Sequence, residues 1–555
     1  MFRKHNPQEK LFNSATNVSD RKKAKLNKTW AEVFRQKILP VLRRQEESYS
    51  DFYPSTTGRP NHEVNVMLGT ILLKHSFDLT DEATVENFTF NTLWHHALDL
   101  DGFDCNLCRK TLYNFHSKLF ASQKHLDLFY DIRDMIIQEA NLTFSTQRLD
   151  SVHIQSNMAE FGRFRLFSRT IECFLRALKK EHSDLFDRIS PELTQRYLDR
   201  EGYFCDPKPS EGRSNTQTAA EDVCFLLSEF SESPMVPEMK SYQLLQRLFT
   251  EQCQIEENDV ITLVSKPSSD SLQNPSDPDA GYSGHKGKGY QAQVTETCDA
   301  ANAFEVVTHV KVESACESDS AAVPDVISDL DASDVKPDTL HADTSYGGQD
   351  NVDAALDKDV VLNAPTSNGQ SSSKSTVTID DFEFSADGRK LIACPNKKEP
   401  LYQRFRQNRD YGYAEFDLAG QCLGCPFQAD CPGRIQKSGK RRLKWNQKSG
   451  KLAYRRQYQK TDEFKENYKI RSGIEATFSQ LKNTHGGKRL NVREFPSVHG
   501  SLIFKFMAIN VRRMIKYVQN AEKQADLSGA GSLSSLFISI SSCFNSDFCL
   551  GRVAG

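Results

Sequence analysis

Three acids, Asp150, Asp343 and Glu475, stand in segments whose residue types suit a single metal site, although 193 (343−150) and 132 (475−343) positions separate them. The third is the most informative, because Tyr468, Arg471 and Lys482 lie 7, 4 and 7 positions from it. On an α-helix such intervals set all four side chains within roughly 60° of one another. One face then carries a carboxylate flanked by two cations and a phenol, a set that suits an acid holding a divalent ion while its neighbours grip phosphates. The same face also reads as an exposed helix with an Arg471/Glu475 pair worth about 0.3 kcal/mol. Asp150, taken alone, reads as an ordinary surface acid, and so does Asp343, which precedes the turn Ser345-Tyr346-Gly347-Gly348.

The run Tyr-x2-Arg-x3-Glu-x6-Lys resembles the Y-R-E-K signature of bacterial insertion-sequence transposases, which use an Asp-Asp-Glu triad on a ribonuclease-H-like fold. Four further segments are similar to that family in the same order. TTGRPNHEVNVMLGTILLKHSFDLTDEATVENF (56–88) resembles its N-terminal helical domain, RLDSVHIQSNM (148–158) its first-Asp strand and SDPDAGYSGHKGKGYQAQVTET (276–297) its next sheet segment. HADTSYGG (341–348) resembles its second-Asp strand, and the Glu helix corresponds to 468–490. Residues 160–260 and the tail after 520 match no segment of the family.

The resemblance implies a DNA transposase that cleaves and joins DNA at element ends. Phosphodiesters resist attack because the nucleophile meets a shell of negative charge; two divalent ions about 4 Å apart relieve this, one activating the attacking oxygen and one stabilising the leaving oxygen. Three converging carboxylates suffice to hold them, since Mg²⁺ keeps waters and accepts phosphate oxygens as ligands. Asp150, Asp343 and Glu475 are thus expected to bind Mg²⁺ or Mn²⁺. Tyr468, Arg471 and Lys482, with Lys488 and Arg489 just beyond, are expected to contact DNA. The implied partners are the terminal inverted repeats and target DNA, bound by a homo-oligomer. A plain metal-dependent nuclease on the same fold and a catalytically inactive, domesticated DNA-binding protein are the alternatives. Asp277 and Asp279, flanked by proline, read as turn residues outside the triad.

A second constellation is Cys394, Cys422, Cys425 and Cys431, with 27, 2 and 5 residues between successive members. Cys-x2-Cys is the chelating half of many closed zinc sites, so structural Zn²⁺ competes here with free buried thiols. The spacing is also similar to a cysteine-bearing insertion in this transposase branch. Cys105-x2-Cys108 lacks a second pair and reads as coincidence.

Composition bounds these readings. The chain of 555 residues is too long for one core, so two to four domains are expected. Its 38% hydrophobic and 26% charged content fits a soluble globular protein. The net charge of −3 argues against a uniformly basic nucleic-acid binder, but no Asp or Glu stands between Asp430 and Asp462, where Lys440, Arg441, Arg442 and Lys444 mark a candidate phosphate track. No apolar run reads as a signal peptide or a membrane span, so a cytoplasmic, bacterial protein without a disulfide framework is expected.

The elements that must position the acids follow from periodicity. Residues 29–46 carry a helical stripe interrupted at Pro40, and further stripes over 64–74, 80–93 and 112–119 extend an all-helical N-terminal, DNA-binding domain over 1–138, in which the helices of 80–120 form a candidate helix-turn-helix. An α/β catalytic core of ribonuclease-H-like type, a mixed sheet flanked by helices, is expected over 139–520. It includes a strand at 146–154, a hairpin of 289–296 with 304–312, and strands at 340–346 and 360–362. A helical insertion (160–260) and a Cys-bearing insertion (366–460) interrupt it, the latter entered through the Ser-rich linker 368–376. Single helices at 462–484 and 497–519 close the core, and 521–555 read as a weakly ordered tail.

Overall fold

A computed structural model describes residues 2, 4–5, 19–54, 60–101, 105–199, 212–257, 260–367 and 377–528. The linker 368–376 and the tail beyond 528 lie outside the described residues. The chain forms two compact units. One gathers residues 1–142, 301–307 and 479–555, and the other gathers 143–300 and 308–478.

The first unit is helical. Its centre is the helix Val64–Ser76, whose residues are almost all buried, packed against the 34-residue helix Phe495–Ser528, which also packs on His125–Glu139. Gly500 lets the same helix approach Arg109–Ser122, because a Cβ there would lie 2.3 Å from Cδ1 of Phe120. The helix Asp81–Phe90 starts where Thr80 Oγ1 accepts the Ala83 N–H, and Asp81 and Glu82 stand at its positive end. Two expectations change. The chain does not break at Pro40: a π-helical turn, Phe34–Ile38, leads directly into the helix Leu39–Arg44. That wider turn accommodates the hydrogen bond that proline cannot donate. The C-terminal helix belongs with the N-terminal helices rather than the sheet, and it runs through residues 521–528, expected to be a loose tail.

The second unit holds a mixed sheet of six strands. Its central strand, Thr146–Ile154, alternates Arg148, Asp150, Val152 and Ile154 on one face with Gln147, Leu149, Ser151 and His153 on the other. It pairs antiparallel with Gly287–Thr297 along its length and parallel with Thr339–His341. Gly287–Thr297 pairs in turn with Gly281–Ser283 and Val307–Ser314, and Thr339–His341 pairs parallel with Val361–Asn363. The helix Val323–Ala332 buries Val323, Val326, Ile327 and Leu330, the i, i+3, i+4, i+7 stripe of a helix lying against a core.

Both insertions carry cores of their own. Between 163 and 252 the helices bury Phe167, Ile171, Phe174, Val223, Leu226 and Leu245 against one another. In the Cys-bearing segment a four-stranded sheet buries Phe416, Leu443 and Trp445 against Phe382 and Phe384.

Candidate active site

Strand register explains why two distant aspartates meet. Arg148 and His341 are partners in the parallel ladder, and Asp150 and Asp343 each stand two residues further on. The strand Thr339–His341 is shorter than the expected 340–346, so Asp343 already sits in the following turn. There its Oδ1 accepts the Ser345 N–H at 2.7 Å and the Ser345 hydroxyl. Asp150 is 7% exposed, and its Oδ1 accepts the Ser151 N–H at 2.9 Å.

Arg471 ties the two together. Its Nη2 lies 2.5 Å from Asp150 Oδ2 and 3.9 Å from Asp343 Oδ2, while its Nε is buried without a partner. The expected single helix over 462–484 is absent: an α-helix Asp462–Tyr468 passes into a 3₁₀ turn, Lys469–Gly473, and then into the helix Ile474–Thr484. The four residues of the signature therefore do not share one helical face. In a 3₁₀ turn residues i and i+3 eclipse, which keeps Tyr468 beside Arg471, and Glu475 opens the next helix at its positive end.

The break has a tertiary cause. Arg148 and Glu296, partners in the antiparallel ladder, form a buried ion pair at 2.6 Å. Arg148 Nη1 donates to the Ile470 carbonyl at 2.8 Å, and Glu296 Oε2 accepts the Thr477 hydroxyl at 2.5 Å. The pair thus clamps the turn on one side of Glu475 and the helix on the other. Gly473 lies directly on the guanidinium, where a Cβ would come within 2.0 Å of Arg148 Nη1. Sequence reading missed Arg148 and Glu296. Arg148 shares a strand face with Asp150, but only the register reveals its partner.

The charges of the three acids bear on one another. Burial raises the Asp150 carboxyl from its ordinary 3.8 to about 6, against the pull of Arg471, and the charges of Asp343 and Glu475 add to the rise. Burial works to lower the Arg471 pKa, but Asp150, Tyr468, Asp343 and Glu475 raise it on balance. Burial raises the half-buried Tyr468 phenol. Asp277 serves a different purpose, since it is fully buried and accepts the hydroxyls of Ser156 and Tyr290 at 2.5 Å each.

Lys482, on the Glu475 helix, and Lys488 and Arg489 beyond it are exposed and belong to the helical unit. Cys394, Cys422, Cys425 and Cys431 line one cavity of about 30 Å³. Burial raises the Cys422 thiol and Arg441 lowers it, while the other three thiols raise it further. Among the described residues no three His, Cys, Asp or Glu side chains are already arranged as a metal site. At the acids, the guanidinium of Arg471 stands where the carboxylates converge. The donor set nonetheless suits a hard divalent cation: three carboxylates, of which Asp150 is buried and Arg471 offsets only part of the cost of its burial.

A family profile described as Transposase DDE domain matches residues 393–515, and one described as Transposase domain (DUF772) matches residues 22–118. No curated protein and no solved structure matches the chain. No helix among the described residues is long and apolar enough to cross a membrane.

Proposed function

The chain belongs to the DDE transposases of insertion sequences, and on that premise we propose that Asp150, Asp343 and Glu475 form its catalytic centre, cutting DNA at element ends and joining the freed 3′ ends to a target. The observation that carries this reading is the Asp150 carboxyl, buried and raised to about 6 beside two acids that arrive from remote segments. Burial outweighs the pull of Arg471 on Asp150, and a divalent cation would supply the further positive charge that stabilises the ionised acids. Transposases of this class generally use divalent metals. Mg²⁺ or Mn²⁺ bound by these three would activate the attacking hydroxyl and stabilise the leaving oxygen.

The chain's own residues do the rest. The unpartnered Nε of Arg471 is a donor for a phosphate oxygen, and Tyr468 beside it orients the strand. Arg148, Glu296 and Thr477 hold Glu475 in register with the two aspartates. Exposed Lys482, Lys488 and Arg489 take backbone phosphates, and the N-terminal helices bind the inverted repeats as part of a homo-oligomer in the bacterial cytoplasm. A ribonuclease-H-like core is supported by the strand order. Leaving aside the short strand Gly281–Ser283 and numbering the other five along the chain, the order is 3-2-1-4-5, with strands 1, 4 and 5 parallel. We assign structural Zn²⁺ to the four cysteines that share a cavity.

The test is a joining assay on DNA that carries the inverted repeats flanking the gene. Cleaved ends covalently linked to a target plasmid support the reading. Shortened strands without joined product indicate a nuclease, and binding with neither product indicates an inactive DNA-binding protein.

A further inference from the structure

The sheet of the Cys-bearing segment has an outer face that the catalytic reading leaves unused. Its strands Tyr402–Arg406, Tyr411–Asp417 and Lys440–Trp445 alternate strictly, so one face buries Phe416, Leu443 and Trp445 and the other meets solvent. Ladder partners share a face, which sets Arg404 beside Tyr413 and Lys444, Arg406 beside Tyr411, and Tyr402 in the row of Glu415 and Arg442. Arg441, expected to be part of a phosphate track, points inward. It is 6% exposed and donates to the Gln428 carbonyl.

The outer face is therefore a patch of tyrosines set among cations. The Tyr413 ring lies 5.9 Å from that of Tyr402 and 6.1 Å from that of Tyr411. Arg442 stands 4.8 Å over Tyr413, and Lys444 stands 5.7 Å over Tyr411. Glu415 adds no exposed negative charge, because Arg442 and Lys440 cover it to 8% exposure. Aromatic rings flanked by Arg and Lys on an open sheet are the chemistry that holds unpaired nucleic acid, bases on rings and phosphates on cations. Duplex bases repeat every ~3.4 Å along a strand, whereas these rings stand near 6 Å apart, a spacing for separated bases.

We propose that this face binds an unpaired DNA strand, with Tyr402, Tyr411 and Tyr413 stacking bases and Arg404, Arg406 and Lys444 contacting phosphates. The proposal rests on DNA being the substrate, but it does not depend on the three catalytic acids. It is therefore tested on the full chain carrying Asp150→Asn, in buffer without Mg²⁺, Mn²⁺ or chelator, by fluorescence anisotropy with labelled oligo(dT) and with a duplex of equal length. Tyr411→Ala and Tyr413→Ala should each weaken oligo(dT) binding roughly 5- to 150-fold and duplex binding less than about twofold. Tyr413→Phe should bind as the parent does. Arg404→Ala with Arg406→Ala should lower the salt slope for oligo(dT) by about 1.4 and carries the test should a tyrosine variant fail to fold. Equal losses on both DNAs, unchanged oligo(dT) affinity, or displacement of oligo(dT) by poly-glutamate at equal charge concentration would overturn the proposal. The joining assay scores the catalytic reading separately.

Discussion

Replacing Glu296 probes the clamp that fixes Glu475. Glu296 is fully buried and Arg148 is 7% exposed, so solvent screens their attraction little. The carboxylate receives Arg148 Nε at 2.8 Å, Nη2 at 2.6 Å and Thr477 Oγ1 at 2.5 Å. Removing one partner of such a pair leaves a buried charge uncompensated and costs about 3–5 kcal/mol. At roughly 2–4 °C per kcal/mol for a unit of this kind, Glu296→Gln should lower the thermal midpoint by roughly 6–20 °C. The double variant Arg148→Met with Glu296→Leu separates stability from positioning. Replacing a buried pair by apolar residues of similar volume is often neutral or stabilising, so its midpoint should return to within a few degrees of the parent. The Ile470 carbonyl and the Thr477 hydroxyl still lose their partners, and a misplacement of ~1 Å costs about 100-fold in rate. Circular dichroism melting combined with metal-dependent cleavage of end-bearing DNA reads both quantities. A double variant that melts and cleaves like the parent would refute the clamp.

The Asp150 carboxyl titrates near 6 when folded and near 3.8 otherwise, so its neutral form favours folding. That contribution is complete below pH about 4 and is lost as pH rises through about 6, so Asp150→Asn should raise the unfolding free energy at pH 8 by up to about 3 kcal/mol, and the melting midpoint with it, and leave both unchanged at pH 4. The same titration predicts that Mn²⁺ binding weakens and releases protons as pH falls through about 6; calorimetry in buffers of different ionisation enthalpy measures the release, and pH-independent affinity would contradict it. Gly473→Ala should reduce cleavage and melting together although it touches no catalytic group, because its Cβ meets the Arg148 guanidinium; parent-like kinetics would show that the turn yields freely. Cys422→Ser should release zinc and lower stability, whereas zinc-free parent protein with an unchanged variant midpoint would mark the cysteines as free thiols.

Much of the scaffold was legible because it depends on local periodicity. The alternation around Asp150 marks a strand, and the apolar stripes over 64–74 and 112–119 mark helices. What was hidden depends on register and on contacts between remote segments. Nothing near Glu475 announces that Arg148 and Glu296 will pair beneath it, so the segment reads as one helix, and the break at Lys469–Gly473 is visible only once Gly473 lies on Arg148. The basic stretch shows a different failure. Counting charges makes Arg441 and Arg442 equivalent, whereas the period of two in Arg441-Arg442-Leu443-Lys444-Trp445 already separates the inward Arg441 from the outward Arg442. The C-terminal helix has its apolar stripe in plain view, but which unit it covers is a matter of topology.

The central claim is that Asp150, Asp343 and Glu475 act together through their charge. Its most direct test compares Asp150→Asn, Asp343→Asn and Glu475→Gln with the parent for Mn²⁺ affinity by calorimetry and for joining of end-bearing DNA in Mg²⁺. An amide keeps the shape of the carboxylate and presents only one neutral oxygen to a metal. Each variant should therefore fold, bind end DNA like the parent, lose Mn²⁺ affinity and join no DNA. Near-parental joining by any one of the three would remove that residue from the centre and contradict the account.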